Sequence, residues 1–203
     1  MIYISGVDTL SRAAKKKSSS VYSRETFRVG RASPHQGLVN NSVHVFIDDQ
    51  NLFYQIVNHE VGKAFRVDFG LLLREVCKDT TGNVRPIASA YIAGVIPDDD
   101  TFWQIAESAG LTVRRGYLGT GNRSKQDDAY LITDLVSTLY EQAGPSTAVL
   151  VAGDADYMPP LMKAVEKGWR TEVAFVNRGI SSSLEAYVHE FRTLVAQSFQ
   201  YFK

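Results

Sequence analysis

In the stretch VLVAGDADYMPP, two aspartates, Asp154 and Asp156, follow an apolar run (Val149 to Ala152) and Gly153. A β-prone run stopped by glycine, with Pro159 and Pro160 just beyond, predicts a strand, a tight turn and a helix. In an α/β sheet that turn lies at the carboxyl edge of the strands, where ligands collect. Carboxylates there must be solvated or matched by cations, because burying them bare costs several kcal/mol or more. Taken alone the turn has an ordinary use, with Asp156 capping the helix and Asp154 facing water. Two further acids argue for more. Asp48 ends the apolar run VHVFID, and Asp128 opens a helical pattern after the loop GTGNRSKQ. Oxygen-only ligands favour hard ions, Mg²⁺ or Mn²⁺, which polarise a phosphodiester and acidify a bound water.

Several elements have to position these four acids. Val43 to Asp48 reads as the first, central strand, followed by a helix through Leu52, Phe53, Ile56 and Val57. Asp68 reads as the N-cap of a second helix through Leu71, Leu72, Leu73 and Val76. Ile87 to Ile96 is the next strand, ended by Pro97. Asp98, Asp99 and Asp100 then suit the positive start of a helix through Phe102 and Trp103. Leu111 to Leu118 is a short strand carrying Arg114 and Arg115, and Gln126 to Gln142 is a helix. At about 100° per residue, with Asp128 at 0°, Ile132 falls near 40°, Leu135 near 340° and Leu139 near 20°. On that wheel Asp127 and Asp134 fall near 260° and 240°, so Asp128 is the acid aimed at the sheet. Trp169 to Val176 reads as a partly exposed edge strand, because Arg170 and Glu172 alternate with apolar residues. The last helix starts from Ser181 to Ser183. Alternating strands and helices predict a three-layer α/β/α domain with a mainly parallel sheet of about five strands.

Composition sets bounds on function. The 203 residues have zero formal net charge. Residues 1–42 hold seven Lys/Arg against Asp8 and Glu25, so the remaining domain, 43–203, is acidic. We expect a flexible basic tail over 1–42. An acidic domain does not hold nucleic acid by bulk attraction, so a polyanion needs local basic patches or bridging metal. Arg114, Arg115, Arg123 and Lys125 form such a patch around the loop, where Tyr117 is placed to stack on a base. Cys77 is the only cysteine, which fits a reducing, cytoplasmic setting. The four histidines have no metal-ligand spacing, and no apolar run is long enough to span a membrane.

The ordered set FIDDQN (46–51), KQDDAYLITD (125–134), VAGDADYMPPL (151–161) and GWRTEVAFVNRGISSSLEAYVHEF (168–191) resembles the NYN domain, a group of PIN-like metal-dependent nucleases that includes bacterial LabA-type proteins. The resemblance spans about 43–194. It implies that Asp48, Asp128, Asp154 and Asp156 hold Mg²⁺ or Mn²⁺ and form the catalytic centre. It further implies that Asn51 lines the site and that Lys125 meets substrate phosphate or orients a carboxylate. RNA as substrate rests on this resemblance alone. Two departures stand out: Asp49 replaces the glycine common after the first aspartate, and Ala152 replaces a common serine.

The resulting expectation is a metal-dependent ribonuclease, an endonuclease, with Asn51, Lys125, Arg123 and Arg115 contacting substrate. The alternative is a PIN-like RNA-binding or regulatory module with weak or no catalysis. A homo-oligomer or a regulatory protein partner is compatible with either reading. A haloacid-dehalogenase-type phosphatase is excluded, because it needs a second acid two residues after its nucleophile. Gln50 stands two after Asp48, and Asn51 two after Asp49.

Overall fold

The computed structural model describes residues 41–59, 65–95, 100–118 and 124–201. The expected basic tail, Asp98, Asp99 and Arg123 lie outside the described residues, as does the side chain of Lys125.

The chain runs β1 (Val43–Asp48), α1 (Asp49–His59), α2 (Phe69–Val76), β2 (Ile87–Gly94), α3 (Thr101–Ser108) and β3 (Thr112–Arg115). A small antiparallel pair follows, β4 (Tyr117–Leu118) and β5 (Ser124–Lys125), and then α4 (Asp127–Glu141) and β6 (Thr147–Val151). The chain continues with α5 (Met158–Glu166), β7 (Arg170–Val176), α6 (Ser182–Tyr187) and β8 (Glu190–Leu194). Six strands form one sheet in the order β3-β2-β1-β6-β7-β8, and every neighbouring pair is parallel. Helices cover the sheet in a three-layer α/β/α arrangement, with α4 lying over β1, β2 and β3 and beside α5.

This order explains where ligands can bind. From β1 the chain winds outward through β2 to β3, then returns by α4 to β6 on the other side of β1. The winding direction therefore reverses between β1 and β6, and at such a switch point the loops after the two strands part and leave a crevice. Asp48 ends β1, and Gly153 and Asp154 follow β6, so both motifs open onto it.

β1 and β6 are buried along their whole length, as expected of central parallel strands covered on both faces. Phe46, Val149, Leu150, Phe175 and Trp169 anchor the core, with Trp103 filling the space under α3. Gly153 has no room for a side chain: a Cβ there would sit 2.5 Å from the Phe175 ring and 2.6 Å from the Gly179 carbonyl. The glycine that stops the β6 run is thus required by packing.

The expected helix from Asp68 is present, and the Asp68 carboxylate accepts the Leu71 N–H at 2.9 Å. Other expectations need correction. The sheet has six strands rather than about five, because β8 forms where only a helix was expected. β8 covers β7, so β7 is an inner strand and Glu172 is buried on it. The polar alternation of Arg170 and Glu172 belongs to an ion-pair cluster: Glu172 pairs with Arg85 and Arg170 at 2.6 Å, and Arg170 also pairs with Glu190. The strand expected over 111–118 breaks at Gly116, whose N–H donates to the Gly94 carbonyl. Asp100 precedes α3 but makes no side-chain cap; its carboxylate pairs instead with Arg115.

Candidate metal centre

Asp48 is 4% exposed at the carboxyl end of β1, and both of its oxygens are held. Oδ1 accepts the Asn51 N–H at 2.9 Å, and Oδ2 accepts the Tyr157 hydroxyl at 3.0 Å. The side-chain carbonyl of Asn51 in turn accepts the Gly153 N–H at 2.8 Å, tying the β1–α1 turn to the turn after β6. Asn51, expected to contact substrate, thus has its side-chain oxygen committed to the protein's own backbone.

α4 supplies the opposing wall. Gln126 precedes it with φ at 71°, a left-handed conformation uncommon for a residue with a side chain. Such strain persists only where the surroundings impose it. Here it turns the chain from β5 straight into a first helical turn carrying Asp127 and Asp128. One carboxylate oxygen from each of Asp48, Asp127 and Asp128 lies within 4.8 Å of the others. Asp127 is buried, and its Oδ2 has no hydrogen-bond partner among the described residues.

The charge on these groups is poorly compensated. Burial pushes the Asp48 carboxyl up to about 7, with Asp128 and Asp127 adding to the shift against the Asn51 N–H and the Tyr157 hydroxyl. Asp128 is raised by burial and by the charges of Asp127, Asp154 and Asp156. Asp49, buried beside Gly94, is also pushed up to about 7 by burial and by Asp127. A Cβ at Gly94 would lie 2.9 Å from that of Asp49, so the glycine makes room for this extra acid. Among the described residues, the charges that shift these three carboxyls are those of other acids. A three-oxygen cluster with an orphaned buried oxygen fits a hard divalent ion.

The wheel that singled out Asp128 is corrected here. Asp127 is the buried acid and Asp128 is exposed, although both carboxylates reach the cluster. The buried stripe of α4 runs through Leu131, Leu135, Thr138 and Leu139, while Ile132 is only half-buried.

Asp154 and Asp156 are exposed on the far side of the crevice. Their ordinary roles are reversed from expectation: Asp154 Oδ1 accepts the Asp156 N–H at 3.1 Å, and Asp156 faces water. Both are near enough to Asp128 for their charge to act on it, but they lie outside the three-oxygen cluster. Arg115 pairs with Asp100, and Arg114 grips Asp134 through two hydrogen bonds of 2.8 and 2.9 Å. Asp134 is therefore a partner for Arg114 and stands apart from the acid cluster. The Lys125 backbone lies two residues before Asp127, paired with exposed Tyr117. Sequence reasoning missed Asp127 and Tyr157 as site residues. No local signal separates Asp127 from Asp128, since each stands four residues before an apolar residue, Leu131 or Ile132, and nothing local reveals that Tyr157 reaches Asp48.

A doubly wound parallel sheet with acids crowded at its switch point has the crevice in which such α/β folds bind their ligands. The chain belongs to the NYN domain family, whose model matches residues 42–195, and this match implies a PIN-like nuclease fold. Among solved structures it is similar to a Vibrio parahaemolyticus protein of unknown function, at 17% identity and a TM-score of 0.63 over 82% of this chain and 99% of that one. That likeness supports the fold alone. No curated protein matches the chain significantly.

Proposed function

We propose that this chain is a ribonuclease that hydrolyses RNA phosphodiester bonds, with Mg²⁺ or Mn²⁺ held by Asp48, Asp127 and Asp128. The observation that carries the reading is the cluster itself: three carboxylate oxygens within 4.8 Å, one acid buried with an unpartnered oxygen, at a sheet switch point. Unbridged, so dense a set of negative charges is costly. When bound, such an ion supplies a Lewis acid for the phosphodiester and an acidified water near neutral pH.

The chain's own residues have distinct duties in this reading. Asp48 is oriented by donors at both oxygens and presents its remaining lone pairs to the crevice. Asp127 provides the inner wall. Asp128, Asp154 and Asp156 form the solvent side and complete the acidic set, through direct ligation or through intervening water. Lys125 and Arg123, which precede α4 in the sequence, position backbone phosphates without reading sequence. Arg115 contributes only after exchanging its Asp100 partner for phosphate.

A circular single-stranded RNA and a matched DNA circle, incubated in Mn²⁺, Mg²⁺ or EDTA, test the proposal. Opening of the RNA circle with metal but not with EDTA, lost in folded Asp154→Asn and Asp128→Asn proteins, supports a metal-dependent endoribonuclease. RNA binding that is indifferent to EDTA and to both substitutions, with no cleavage, would instead establish a silent RNA-binding module.

A further inference from the structure

We infer that the Tyr157 hydroxyl is a positioning group for the metal centre: it fixes the Asp48 carboxylate across the sheet's switch point. The inference rests on the metal-centre reading and adds to it a residue outside the acidic set.

Tyr157 is 1% exposed, lying in the short 3₁₀ turn Ala155–Tyr157 between β6 and α5. A buried tyrosine hydroxyl has to find a partner, and most could be satisfied by a nearby carbonyl. This one reaches Oδ2 of Asp48, which stands 109 residues away in sequence on the other half of the sheet. The other oxygen of Asp48 is held by its own helix, through the Asn51 N–H. The two donors therefore play different parts. Asn51 sets the carboxylate relative to α1, whereas Tyr157 sets it relative to the turn bearing Asp154 and Asp156.

The consequence concerns ligand geometry. Hydrogen-bonded partners of ligating carboxylates fix their orientation, and losing one typically costs about 10–100-fold in metal affinity. A phenylalanine at 157 fills nearly the same volume, so the buried core to which Tyr157 belongs stays filled while Asp48 is freed to turn. The Asn51–Gly153 hydrogen bond still ties the two turns together, so the fold does not depend on the hydroxyl.

The test is Mn²⁺ titration of the metal-free full chain by calorimetry, comparing wild type with Tyr157→Phe and with Asp48→Asn. The melting temperature of each metal-free protein and the electron paramagnetic resonance spectrum of bound Mn²⁺ are recorded alongside. The inference predicts that Tyr157→Phe melts within a few degrees of wild type, binds Mn²⁺ about tenfold or more weakly, and shows a changed spectrum. Equal affinity and an unchanged spectrum in Tyr157→Phe, with wild type binding and Asp48→Asn not binding, would overturn the inference while leaving the metal centre standing. A wild type that binds no Mn²⁺ would overturn both. A Tyr157→Phe protein that fails to fold would show that the hydroxyl serves the core, which also contradicts the positioning role.

Discussion

Asp49 stands next to Asp48, but its carboxylate is turned against Gly94 and lies near Asp127, where burial raises it to about 7. An unfolded chain releases that proton near pH 4. Between about pH 4 and about pH 7 the folded, metal-free protein holds more protons than the unfolded one, so its stability must fall as pH rises through that window. Asp48 contributes in the same direction. Asp49→Asn removes one ionisation from the buried site, and at pH 8 the metal-free variant should be more stable than wild type by roughly 2–4 kcal/mol. Near pH 4 the two should converge. Urea denaturation at both pH values measures this, and equal stability at pH 8 would show that Asp49 is solvated in the folded state. At this scale the sequence was only partly legible. Asp48 and the Asp154/Asp156 turn could be read because each ends an apolar run. The wheel placed Asp128 on the buried stripe and Asp127 off it, and the burial is the reverse. A stripe through Leu131, Leu135, Thr138 and Leu139 still centres at about 325°, nearer Asp128. Asp127 is therefore buried by what packs on the first turn, Asp49 among it, and not by the period of the helix.

β7 shows how an element can be read correctly in kind and wrongly in place. Trp169 to Val176 was legible as a strand, but Arg170 and Glu172 suggested exposure, and β8 was not anticipated. The two misreadings have one cause. Glu172 is polar yet buried because Arg85 and Arg170 surround it, and β8 brings Glu190 and Arg192 to the same cluster. Burial alone would raise the Glu172 carboxyl, but those arginines hold it below its ordinary range. Such a cluster depends on contacts distant in sequence, Arg85 lying 87 residues from Glu172, and no local pattern reports it. Removing one member strands the others: Glu172→Ala leaves Arg85 buried without its carboxylate and should cost about 3–5 kcal/mol in urea denaturation. A cost under about 1 kcal/mol would mean that the arginines find water instead. The cluster lies on strands away from Asp48, so the variant, where folded, should keep its metal affinity.

Over the whole molecule, the alternation of strands and helices was enough to read a parallel α/β domain, and the ordered motifs were enough to read its family. The strand order gives them meaning. The reversal between β1 and β6 brings together acids separated by about half the chain, with Asn51 and Tyr157 joining the two halves beneath them. Nothing in the linear pattern of apolar residues specifies that reversal. The domain carrying the site is acidic while the first 42 residues are basic, so a negatively charged substrate approaches a negatively charged centre. In the proposed reading, divalent ions and local lysine and arginine contacts offset that repulsion.

The most direct test is the single-turnover rate of RNA cleavage as a function of Mn²⁺ concentration, for wild type and for Asp127→Asn. Asp127 is the buried acid whose oxygen lacks a partner, so neutralising it should leave the protein folded while weakening its hold on the ion. The expected result is saturable, Mn²⁺-dependent cleavage by wild type, none in EDTA, and a rate at least about 100-fold lower in the variant, from the scale of losing a group that stabilises developing charge. Cleavage that persists in EDTA, or proceeds undiminished in folded Asp127→Asn, would contradict the assignment of this cluster as the metal-dependent centre.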